Sequence, residues 1–276
     1  MAKQMGVHKL HGKVDEQSYY YSKNGGYVTR KINPGMSQKV KTDAAYANTR
    51  LNNAEFGACG AYAGAMLRPV TQRWRFILDS IATGMLVKAM KAAMQEDTTS
   101  AWGKRLISQA QMAGIQDVFN SFSKNEFPSE AKSDLAENVV YDANNHKAAV
   151  NNGATISADT VAQLMAKGAD GFATKVFAYT VTAPSISADG KSYARPVSLI
   201  ERISTLELTE DFVAGQDKTI VDEASFSDSP AILNETGHFG GLLVILLPYK
   251  KVGSTNYTLQ ELCSAVWVPA TAGTVE

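Results

Sequence analysis

The chain has 276 residues, 45% of them hydrophobic and 20% charged, which excludes a disordered chain and leaves room for one large domain or two. Its formal net charge is zero, so the total selects no partner, but the layout is polar: residues 1–75 carry 12 Lys/Arg against 4 Asp/Glu. Residues 76–173 carry 8 against 11 and residues 174–276 carry 7 against 12, which leaves the front of the chain cationic and the rear anionic.

The first 40 residues read as a basic β-hairpin arm. Gln17 to Tyr21 is a polar-aromatic strand, Asn24-Gly25-Gly26 has turn chemistry, and Tyr27 to Arg30 returns. Asn33-Pro34-Gly35 then breaks the chain, with Arg30, Lys31, Lys39 and Lys41 around it.

Residues 41–170 read as a helical domain. Thr42 or Asp43 can cap a helix that runs through Tyr46, Arg50 and Glu55 to about Leu67, ahead of Pro69. Its second half is small throughout, and Gly57, Gly60 and Gly64 each cost about 1 kcal/mol relative to alanine. The expected compensation is close backbone approach by a neighbouring helix, so these three are read as helix-packing positions. A second helix is expected from about Val70 to Met94, striped by Trp74, Ile77, Leu78, Ile81 and Met85. A third is expected from Ala101 to Phe122. Residues 125–153 read as loop with at most one short helix near 131–138, and Ser157 to Lys167 as a helix stopped by Gly168.

From Phe172 the period changes to two. Phe177, Tyr179 and Val181 alternate with Ala178, Thr180 and Thr182, and Asp189-Gly190 is a hairpin signal. Further strands are expected at Leu199–Thr209, Lys218–Glu223, Leu242–Leu247 and Leu262–Val268. The Leu242–Leu247 run is apolar on both faces, as a central buried strand requires. The fold class is therefore α+β: an N-terminal hairpin and helical part, then an antiparallel β-sandwich-like module over 171–276. A sheet on which the earlier helices pack is the other arrangement consistent with the pattern.

Motifs for chemistry are sparse. Gly103-Lys104-Arg105 has threonine at position 98, where a phosphate loop needs glycine, and no G-x-S-x-G is present. Cys59 and Cys263 are too few and too far apart for a disulfide framework or a zinc knuckle. Cys59 sits in an apolar helix, where a thiol is inert packing. His8-x-x-His11 lacks the context of a metal site, and His146 and His238 have no partner motif. Asp222-Glu223 and Glu210-Asp211 are paired acids of the kind found at strand ends. No cofactor, no metal and no catalytic residue is expected. Met1 to Gly6 shows no apolar signal region, and the six-residue run Leu242–Leu247 is too short to span a bilayer. A soluble, cytoplasmically made protein with no membrane partner is expected.

The feature with most character is the mixture of Tyr19, Tyr20, Tyr21 and Tyr27 with Arg30, Lys31, Lys39, Lys41 and Arg50. Aromatic faces with cations suit a protein interface or stacking and phosphate contact on nucleic acid. Gly12-Lys13-Val14, Tyr27-Val28-Thr29-Arg30 and the run Lys41-Thr42-Asp43-Ala44-Ala45-Tyr46 through Glu55-Phe56-Gly57 resemble a group of uncharacterised proteins of Bacteroidota bacteria and their mobile elements. Those chains share a basic hairpin and a KTDxAYxxTRxNNxEFG helix. The resemblance covers about the first 70 residues and implies a phage-like setting, hence a virion component. Together these features favour a non-enzymatic assembly subunit that forms a homo-oligomer or a larger assembly. A nucleic-acid-binding protein is the alternative, and an enzyme of unrecognised type a second one.

Overall fold

The computed structural model describes residues 2–5, 8–22, 25–78, 81–121, 139–142, 147–150, 154–182, 199–202, 207–221, 224–225 and 237–269. The helix expected near 131–138, the Asp189-Gly190 hairpin, Asp222-Glu223 and His146 lie outside the described residues. The fold is α+β, with antiparallel sheets, and it divides into two compact units, residues 1–52 and 53–276. The helices expected to form a domain of their own share a core with the C-terminal sheet instead.

The first unit holds β1 (Ala2–Lys3), β2 (Gly12–Val14), β3 (Gln17–Ser22) and β4 (Gly26–Lys31), ordered β1-β4-β3-β2. The expected hairpin pairs Tyr21 with Tyr27 and Tyr19 with Thr29. Helix α1 (Met36–Thr42) follows, then a 3-10 turn at Ala44–Tyr46 whose Asp43 carboxylate accepts from the Ala45 N–H. Asp43 thus caps at the expected start, first of this 3-10 turn, which leads into the long helix at Ala47, while α1 ahead of it was not expected.

Helix α2 (Ala47–Arg73) contains the boundary between the units and runs through Pro69, where a stop was expected. Proline removes one N–H from the ladder and crowds the preceding turn. Met66, Leu67, Pro69 and Val70 are all buried, and burial at about 1.5–3 kcal/mol for a large apolar side chain outweighs that local loss. Helix α3 (Ala82–Gln95) starts later than predicted, after a 3-10 turn at Arg75–Ile77. The third helix shrinks to α4 (Met112–Asn120), entered through a capping box between Ser108 and Gln111.

Three short strands come next: β5 (Val139–Asp142), β6 (Lys147–Val150) and β7 (Ala154–Ile156). Helix α5 (Ala158–Ala166) follows, capped by the Ser157 hydroxyl as expected. The strands β8 (Gly171–Val181), β9 (Leu199–Arg202), β10 (Glu207–Asp211), β11 (Lys218–Val221), β12 (Ala224–Ser225), β13 (Phe239–Val252), β14 (Thr255–Thr258) and β15 (Ser264–Pro269) complete the unit. β8, β9, β10, β13, β14 and β15 form one six-stranded sheet around β13, which pairs with β8, β14 and β15.

β13 is buried continuously from Phe239 to Tyr249. Register puts Leu243 beside Phe177 and Trp267, and Ile245 beside Lys175 and Ala265, on the face that joins the helical core of Tyr62, Met66, Leu86, Met90, Ile115 and Phe119. Leu242, Val244 and Leu246 face the other way and are equally buried. On the helical face, the arrangement is the sheet carrying the earlier helices.

Two amides fasten helix to sheet. Asn120 accepts from the Trp267 N–H at 2.9 Å and donates to its carbonyl at 3.4 Å. Gln109 does the same at Gly240, at 2.8 and 3.3 Å. Each completes the backbone bonding of a strand residue with one side chain.

The glycines of α2 are not where packing needs them. A Cβ built on Gly57, Gly60 or Gly64 meets nothing within 4 Å, so no neighbouring backbone presses on that stripe among the described residues. This corrects the expected role. A glycine that packing does require is Gly241, where a Cβ would lie 2.5 Å from the Val268 carbonyl and 2.7 Å from the Trp267 ring. Gly241→Ala should therefore cost about 3 kcal/mol in urea unfolding, whereas Gly57→Ala and Gly64→Ala should each stabilise by about 1 kcal/mol.

Candidate functional site

Two places concentrate charge. The first is buried, and sequence reading missed it. Glu55 lies on the α2 face that also carries Cys59, Tyr62 and Met66, at helical spacing along an apolar stripe. A lone carboxylate on such a stripe is the signal that marks it. The side chain is fully buried, so its charge must be compensated from nearby. Arg105 grips it in a fork, Nε to Oε1 at 2.7 Å and the guanidinium NH2 to Oε2 at 2.8 Å. The Gly103 N–H donates to Oε1 at 2.8 Å, and Lys91 of α3 pairs with Oε2. Gly103 has φ 88°, a left-handed turn that glycine adopts without strain and that aims its N–H inward.

Each carboxylate oxygen thus accepts two bonds, which fills its capacity. Burial alone would push the Glu55 carboxyl up, but the Arg105, Lys91 and Gly103 donors more than offset it and hold the group at about 2. A saturated, buried anion of that kind cannot take a proton near neutrality or reach a substrate. What it does is tie α2, α3 and the loop at 97–106 together. Asp97 secures the same loop, accepting from the Thr99, Ser100 and Leu106 N–H groups, and its carboxyl lies well below the usual range despite some desolvation.

The second place is the sheet of the first unit, where the predicted interaction residues lie. Strand register sorts them into two sets. Tyr19, Tyr21, Tyr27 and Lys31 share one face with Gln17 and Thr29. Tyr20, Val28 and Arg30 share the other with Lys3 and Lys13. On the first face the Tyr21 and Tyr27 rings meet edge-on with centroids 5.1 Å apart, and they are 58% and 40% exposed. Lys31 there is paired with Glu16 at 3.2 Å. On the second face Lys3, Lys13 and Arg30 are exposed, and none forms an ion pair among the described residues. Lys39 and Lys41 are exposed on α1. Arg50 serves the fold itself, since its guanidinium donates to the Val40 and Asp43 carbonyls at 2.9 and 2.8 Å and closes the end of α1.

Reactive groups do not converge elsewhere in what is described. Cys59 and Cys263 are buried, and burial pushes each thiol up to about 12. His8 and His11 are exposed. Among the described residues no group of three His, Cys, Asp or Glu side chains could hold a metal ion, and no helix is long and apolar enough to cross a membrane. A surface depression lined by Lys167, Thr258, Gln260 and Glu261 contains no His or Cys. No family model, no curated protein and no solved structure matches the chain.

The carboxyl of Glu55 binds a proton less tightly in the folded protein than in the unfolded chain, so acid favours unfolding. Its stabilisation is complete above about pH 4.5 and disappears as pH falls toward about 2. Glu55→Gln, which leaves Lys91 and Arg105 uncompensated, should cost about 3 kcal/mol at pH 7, and the cost should shrink over that acid window in chemical denaturation. Alkylation of Cys59 by iodoacetamide at pH 8 should proceed only on unfolding, followed by mass spectrometry with and without urea.

Proposed function

We propose that the protein is a non-enzymatic assembly subunit, in which the basic first unit of one copy docks on the acidic second unit of the next. The observation that carries this is the makeup of residues 1–52. Among the described residues of that unit, Val28 is the one buried apolar side chain. A unit of this size with so little core gains little stability from its own burial. Its exposed tyrosines and cations are the residues that partner contacts employ. It also carries nine Lys/Arg against three Asp/Glu, a surplus of six, while residues 53–276 carry 18 against 24, a deficit of six.

Opposite surpluses at the two ends of one chain steer copies into register and accelerate encounter. A contact between two different surfaces is head-to-tail, and repetition gives a ring or a filament according to the rotation at each step. Every added copy is electrically neutral, so such an array can grow without accumulating repulsion. This suits a repeated component of a particle, and the phage-like resemblance of the first 70 residues accords with it. The acidic body weighs against nucleic acid as the main partner, since it would repel the phosphates that the first unit attracts.

Light scattering on nuclease-treated protein at 50 mM and 500 mM salt tests the proposal. The expected outcome is a multimer at low salt that dissociates at high salt. A monomer at high protein concentration in both conditions would rule it out. Assembly that vanishes on nuclease treatment would transfer the role to nucleic-acid binding.

A further inference from the structure

Tyr19, Tyr21 and Tyr27 stand on one face of the first sheet and Lys3, Lys13 and Arg30 stand with Tyr20 on the other, and this separation assigns the contact to one of them. Lys13 on β2, Ser18 on β3 and Arg30 on β4 form one cross-strand row. Strands lie about 4.8 Å apart, so the row spans about 10 Å. Lys3 on β1 stands beside Val28 and Tyr20 in the row that pairs those two residues. Three exposed cations therefore stand on the face that carries the half-buried Tyr20, with Val28 already covered by the chain. The serine between Lys13 and Arg30 is short and uncharged, which leaves both ammonium and guanidinium groups open to an approaching anion. The opposite face has one strand cation among its described members, Lys31, and Glu16 already neutralises it.

We propose that the Lys3–Lys13–Arg30 face is the surface that docks on the acidic second unit of another copy, an inference that rests on the assembly function above. A cluster of exposed cations that meets a surface of opposite charge steers and orients a protein contact. The partner is a second copy because residues 53–276 carry the matching deficit of six charges, with Asp170, Asp217 and Glu261 among their exposed acids. Exposed cations act on encounter rate and salt dependence, so their reversal should weaken association without unfolding the unit.

The test compares wild type, Lys13→Glu/Arg30→Glu and the opposite-face variant Tyr21→Ser/Tyr27→Ser by sedimentation at 50 mM salt after nuclease treatment, with circular dichroism as the folding control. Charge reversal is expected to weaken self-association at least tenfold at unchanged secondary structure. The tyrosine variant is expected to associate within about threefold of wild type. Should Lys13→Glu/Arg30→Glu misfold, Lys13→Gln/Arg30→Gln gives the same readout with a smaller perturbation. If wild type associates and the charge variants do so equally well, or if the tyrosine variant alone dissociates, this face is not the contact while the assembly function stands. If wild type does not associate, the assembly function itself fails.

Discussion

The second unit depends on β13 being apolar on both sides. A strand with one polar face can rest at the surface of a sheet, but Leu242 to Leu247 offers water nothing on either face. Both must be covered. The helices α2, α3 and α4 come to one of them, and the joint core runs from Cys59 and Tyr62 through Met90 and Phe119 to Leu243 and Trp267. This is why residues that look like a helical domain do not form one: their apolar stripes and the sheet are two halves of one interior.

Apolar burial sets the layers but not their register, which falls to a few polar contacts inside or beside the core. Asn120 and Gln109 each fix one helix-side position to one strand residue. Glu55 fixes two helices and a loop to one point. A hydrophobic contact tolerates sliding, whereas a forked guanidinium does not. A buried ion pair is a poor source of net stability compared with apolar packing, and its value here is that it admits a single arrangement of α2, α3 and the loop at 97–106.

How much of this the sequence discloses depends on the range of the signal. The alternation through Phe177 and Val181, the apolar run at Leu242–Leu247, the Ser157 cap and the Tyr21/Tyr27 hairpin are local patterns, and they appear as read. Glu55 announces itself as a charge on an apolar stripe, but its partners lie 36, 48 and 50 positions away, beyond any local pattern. The glycines of α2 mislead because composition records that a residue is small and not what stands opposite it. Pro69 misleads because the core around Val70 overrides a local preference. The tyrosines and cations of the first sheet are contiguous in sequence and look like one patch, yet strand geometry sends neighbours to opposite sides. The proposed function rests on charge distribution and on the thin core of the first unit, both visible only coarsely without register.

The Asn120 contact has a consequence for the outer margin of the large sheet. β15 pairs with β13 along one side, and at Trp267 the other side would present a bare amide and carbonyl. Such a margin is an invitation to any extended chain, which can lengthen the sheet by adding its own backbone. With both groups of Trp267 already held by one carboxamide, a stray strand finds no template there. That blockade ends the sheet at this position, so its growth by strand addition stops where the helix-borne amide sits.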